Sequence, residues 1–137
     1  MQTAFLVPIN GKLKCFLFED ILFISAKDKY CEFVTIDQKK WLVRIAISQV
    51  DKQLPENLFV RVHRSHIISL HKIDWLECDV VTIGAHKLDV SKDGYEAITE
   101  RVLILCPEFD KKLKDEMKGL SPEDYVKRVK RRKRRFE

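Results

Sequence analysis

The chain has 137 residues, enough for one compact domain with an extension and too few for two full domains. A hydrophobic content of 45% with eight Phe excludes wholesale disorder, and no apolar run approaches the roughly 20 residues of a membrane span. Its net charge of +5 is uneven: residues 1–106 carry 14 Lys+Arg against 14 Asp+Glu, whereas residues 107–137 carry 12 against 7.

In chain order the elements are mostly strands. Ala4 to Ile9 and Lys12 to Phe18 flank Asn10-Gly11, a strong hairpin signal. The apolar run Asp20 to Ser25 precedes a polar turn, Ala26 to Lys29, and then a β-prone stretch from Tyr30 to Ile36. After a turn at Asp37-Gln38-Lys39, Trp41 to Ile45 alternates apolar with polar. Ser48 to Leu54 has helical character, with Val50 and Leu54 on one face and Pro55 to stop it. Further strands are expected at Phe59–His63, His66–Leu70, Ile73–Cys78, Val80–Ile83 and His86–Val90, with Gly84-Ala85 turning between the last two. Ser91 to Leu105 stays open between helix and strand.

Residues 107–137 form the expected helical, basic extension beyond a domain at 1–106. Phe109, Leu113 and Met117 recur at helical spacing up to Gly119. Ser121-Pro122-Glu123-Asp124 reads as a helix start. Val126 to Arg135 holds eight cations and no acid: Lys127, Arg128, Lys130, Arg131, Arg132, Lys133, Arg134 and Arg135. Such a run either seeks a polyanion or is a solvated helix end.

Two kinds of chemistry are disfavoured. Cys15, Cys31, Cys78 and Cys106 are far apart with no CxxC pair. With no signal segment, the expected compartment is the cytoplasm and the expected thiols are buried and free. On an unbroken strand His63 and His66 would point to opposite faces, whereas zinc needs three or four converging ligands. No glycines frame a Ser or Cys nucleophile. Neither a metal, a cofactor nor an enzyme activity is expected.

The residues carry a resemblance. FVRVHRSHIISLHKI, from Phe59 to Ile73, resembles the signature segment of the LytTR DNA-binding domain family. DILFISAKDKYCEFVTI is similar to the family's early strand–turn–strand, WLVRIAISQVDKQLPENLF to its strand, short helix and Leu-Pro connector, and HKLDVSKDGYEAI to its last strand and following turn. Together the blocks cover about residues 4–103, in order.

The resemblance implies a mainly β fold of several small antiparallel sheets with one short helix, contacting successive DNA grooves through loops. It also implies a bacterial transcription regulator on double-stranded DNA at paired direct repeats, here a stand-alone one without the receiver domain that usually precedes this module. A homodimer on DNA is left open. Carried over by position, the turn that enters one major groove is Lys27 to Cys31, with Lys27, Lys29 and Tyr30 as contacts. Arg64 follows the signature His, with Ser65 and His66 beside it at phosphate. Ser91 and Lys92 fall where the family has Ser-Arg, and Lys lacks the two-pronged guanine contact of Arg.

Bland readings stand beside these. Arg61 is on a polar face, at phosphate or simply solvated. His63 reads as a packed structural histidine, and Tyr30, Lys27 and Lys29 also suit sheet packing or ordinary turn charge. The alternative function is a nonspecific nucleic-acid-binding accessory protein driven by the tail; a third is a module whose tail docks an acidic protein.

Overall fold

A computed structural model describes residues 3–105. The chain opens with a two-stranded ribbon, β1 (Ala4–Ile9) and β2 (Lys12–Leu17), paired in register from Ala4↔Leu17 to Ile9↔Lys12. Asn10 and Gly11 turn it with φ of 51° and 76°, the left-handed region those two residue types tolerate best.

The central sheet has five strands in the order β5-β4-β3-β7-β6, every neighbour antiparallel. They are β3 (Ile21–Lys27), β4 (Tyr30–Thr35), β5 (Lys40–Val43), β6 (Phe59–His63) and β7 (His66–Ser69). Between β5 and β6 lies helix α1 (Ile47–Gln53). A second sheet, in the order β10-β9-β8, joins β8 (Trp75–Leu76), β9 (Val80–Ile83) and β10 (His86–Asp89). Helix α2 (Lys92–Arg101) follows.

Both faces of the central sheet are buried, which is why its strands read as almost continuous apolar runs. Ile24, Cys31, Phe33, Val43 and Ile67 pack with Val7 and Phe16 of the ribbon and Val50 of α1. Phe23, Val34, Val60, Val62 and Ile68 pack with Val81, Ile83 and Leu88 of the second sheet and with Tyr95 and Ile98 of α2. The result is three layers with the five-stranded sheet in the middle.

The mainly β class of small antiparallel sheets is as expected, and several details are sharper. The stretch left open from Ser91 becomes α2. Its N-cap Ser91 accepts the Gly94 amide, and Tyr95 and Ile98 fall on one face to enter the core. The described residues thus hold two α-helices. Only Trp75–Leu76 of the expected Ile73–Cys78 strand pairs as a strand, because Leu70–Lys72 coil into a 3-10 turn before it. The β3–β4 turn is tighter than expected. Ala26 and Lys27 still belong to β3 and pair with Cys31 and Tyr30, leaving Asp28-Lys29 to reverse the chain with Asp28 at φ 58°.

The thiols need a correction. Cys31 is buried, and burial pushes its thiol up. Cys15 is exposed because it alternates onto the outer side of the ribbon, and Cys78 is half-buried. Cys106 and the 107–137 extension, including the tail cations, lie outside the described residues.

Candidate nucleic-acid interface

The strand directions bring the candidate residues to one end of the central sheet. β3 and β6 run toward that end and β4 and β7 run away from it, so the β3–β4 and β6–β7 turns lie there together. A backbone bond joins the two tips: the Ala26 amide donates to Ser65 O at 2.8 Å. The start of α2 is tied to the same end, since the Ser91 amide donates to Val62 O at 2.8 Å and its hydroxyl does so at 3.2 Å.

On the first tip Lys29 is exposed, and Tyr30 is 43% exposed at the start of β4. Lys27 stands 4.0 Å from the Glu32 carboxylate, a surface pair of small energetic weight. Arg44 is exposed directly after Val43, which pairs with Cys31, so it leaves the sheet at this same end. Sequence reasoning missed it because only the β4–β5 register reveals where it emerges.

The second tip is internally braced. Arg61 is neither free nor merely solvated: its guanidinium donates to Arg64 O at 2.7 Å, and its Nε donates to His63 O at 3.4 Å. The Ser65 amide donates to His63 Nδ1 at 3.2 Å, which agrees with a structural His63. The 61–73 run is not one unbroken strand. A turn at Arg64-Ser65 makes His63 and His66 register partners on one side, with ring centroids 5.3 Å apart. His66 Nδ1 lies 2.9 Å from Ser25 Oγ, and burial, then the neighbouring His63, lowers its pKa. It is therefore neutral at pH 7 and acts as part of the tip's frame. With these frame contacts made, Arg64 is the tip's exposed cation.

The third group differs in kind. Ser91 is exposed, yet its hydroxyl already caps α2 and bonds Val62 O, so its first role is to dock the helix. Lys92 is exposed at the first helical position. Two further docking devices escaped the sequence reading. Gly94 is buried so tightly on β6 that a Cβ there would sit 1.9 Å from Val62 O. Arg101 Nη1 donates to Phe59 O at 2.9 Å and to Glu56 O at 3.2 Å, which fixes the far end of α2. Among the described residues no three His, Cys, Asp or Glu side chains gather as metal ligands would, and no helix is long and apolar enough to cross a membrane.

The molecule is thus a layered β domain whose cationic candidates stand on loops and a helix start along one edge. A model of the LytTr DNA-binding domain matches residues 11–102, and the chain belongs to that family. It is similar to the sensory transduction protein LytT of Enterococcus faecalis, with 24% identity over 104 residues, 70% of this chain and 43% of that protein. It also resembles the heme-containing CO-sensing transcriptional regulator RcoM 2 of Paraburkholderia xenovorans, with 30% identity over 71 residues, 50% of this chain and 26% of that protein. The chain therefore spans less than half the length of either curated relative. Its fold matches the solved structure of a LytTr DNA-binding domain from Bacillus cereus with a TM-score of 0.62 at 16% identity, over 74% of this chain and 97% of that one.

Proposed function

We propose that the chain is a sequence-specific, double-stranded DNA-binding transcription regulator of the cytoplasm that reads successive grooves with three loop regions. The observation that carries this reading is the alignment of Lys29-Tyr30, Arg64 and Lys92 along one edge of a domain that belongs to a DNA-binding family. Arg64 is the groove contact. Lys29, Tyr30 and Lys92 flank it, and Lys27 and Ser65 contact phosphate with the newly placed Arg44. Arg61, His66 and Ser91 act one step back, by holding the loops in shape. Paired direct repeats are the expected target, with a second copy on the adjoining repeat.

Selection of duplexes from a random pool, followed by footprinting, tests this reading. Two short motifs about one helical turn apart are the expected result, and recovery of no motif would overturn it. On the selected duplex, Arg64→Ala and Lys92→Ala should each weaken binding by roughly 1–3 kcal/mol and leave the unfolding midpoint unchanged, because both side chains are exposed. Wild-type affinity in both variants would mean that the edge is not the reading surface.

The eight cations of residues 127–135 favour a second, additive contribution that is blind to sequence. Removing residues 122–137 should lower affinity for selected and unrelated duplexes by similar factors. If three or four of those cations meet phosphate, the slope of log K against log[salt] should flatten by about 3, at roughly 0.9 per contact. An unchanged slope would take the tail off the DNA and leave an acidic protein as its partner. If, instead, full-length protein selects no motif while the slope effect is large, the nonspecific accessory reading replaces the specific one.

A further inference from the structure

The ribbon lays one side on the core, where Lys12 and Lys14 stand among apolar residues, and leaves a wholly apolar side uncovered. Phe5, Val7, Ile9 and Phe16 face inward, and the opposite parity puts Ala4, Leu6 and Pro8 of β1 beside Leu17, Cys15 and Leu13 of β2. This outer face has no polar side chain, yet Leu6, Leu13 and Leu17 are 57%, 65% and 40% exposed. An apolar outer side is uncommon in a surface ribbon, since the solvent side of an antiparallel pair ordinarily carries polar residues.

We propose that the outer face of the β1–β2 ribbon is the docking site for the chain's own segment 107–119, which carries Phe109, Leu113 and Met117 at four-residue steps. Three arguments select this occupant. The first is size. Two six-residue strands present a face of about 20 Å by 10 Å. That is far below the roughly 800 Å² per partner that a stable contact between separate chains buries. A helix from Phe109 to Met117 would run about 12 Å with a width of about 10 Å, which fits such a face.

The second argument is tethering: a linked segment meets its site at an effective concentration in the millimolar range, so a small face suffices. The third is route. Arg101 fixes the end of α2 to Phe59 O, the Phe59 ring lies 5.8 Å from that of Phe18, and Phe18 directly follows Leu17 at the open end of the ribbon. Leu103 and Leu105, 74% and 84% exposed, continue an apolar path from α2, and the few residues from Leu105 to Phe109 can span about 13 Å.

Cys15, in the middle of the face, supplies the test with the full chain. Its alkylation by a water-soluble maleimide, followed at the Cys15 peptide by mass spectrometry, should be about tenfold slower than in a Leu113→Asp/Met117→Asp variant, as for a segment docked about nine-tenths of the time. Conversely, amide exchange of residues 109–119 should speed up in Leu6→Ser/Leu13→Ser, whose altered side chains are exposed and leave the core intact. Equal, fast alkylation in wild type and variant would overturn the proposal. So would protection that grows with protein concentration alongside a dimer in light scattering, which would make a second copy the occupant. Unchanged amide exchange in the ribbon variant would overturn it as well.

Discussion

Gly94→Ala should destabilise the domain by about 3 kcal/mol, and by more if α2 cannot move back. Helix propensity alone argues the other way, because Ala in a helix is favoured over Gly by about 1 kcal/mol. Geometry decides the sign. The added Cβ would lie 1.9 Å from Val62 O and 2.6 Å from Val62 Cα, both backbone atoms of a buried strand that cannot swing aside. To relieve this, the start of α2 must retreat by more than an ångström. That retreat breaks the two bonds from Ser91 to Val62 O and uncovers Tyr95 and Ile98. Denaturant titration should show the loss as a shifted midpoint. At temperatures where the variant is still folded, its affinity for the selected duplex should fall too, because Lys92 moves with the helix start. A variant as stable as wild type would show that α2 is not held where Gly94 places it.

What could be read from the sequence follows from the range of the forces involved. The Asn10-Gly11 hairpin, the β3 and β4 runs and helix α1 are local, written in turn chemistry and hydrophobic period, and they stand where expected. The ends of elements were harder. Nothing local says that Ala26 and Lys27 still pair across to β4, or that His63 and His66, at the ends of the two strands expected either side of Arg64-Ser65, become register partners. Residues 92–101 stayed undecided because only three core positions, Gly94, Tyr95 and Ile98, are fully buried, a thin periodic signal. For the site, the family likeness indicated which loops to examine, and the exposed Lys29, Arg64 and Lys92 occupy them. The parts that depend on tertiary register were invisible. Arg61 looked like a polar-face charge and proves to brace a turn, while Arg101, which docks α2, and Arg44 drew no notice at all. A cation's role in a sheet depends on which carbonyl a neighbouring strand presents to it, and that is not a local property of the chain.

Phe33→Ala should cost about 3–5 kcal/mol, similar to or larger than Gly94→Ala, with a different consequence for DNA. Phe33 is 1% exposed, its ring centroid lies 5.9 Å from that of Phe5 and 6.3 Å from that of Phe16, and its strand partner is Trp41. Truncation leaves a void between the ribbon and the central sheet, on the side away from α2. The bonds that shape the proposed reading edge, from Ala26 to Ser65, from Arg61 to Arg64 and from Ser91 to Val62, do not pass through that space. Thermal or denaturant unfolding should therefore show the full loss, while the folded fraction at low temperature should bind the selected duplex within about twofold of wild type, as expected for sites without shared partners. The contrast separates two ways of losing stability: Gly94→Ala moves one of the three proposed contact regions, and Phe33→Ala loosens a layer that supports none of them directly. If Phe33→Ala weakens the folded protein's binding as much as Gly94→Ala does, the edge takes its shape from the ribbon side of the core. The brace formed by Arg61, Ser65 and Ser91 would then be insufficient to hold it.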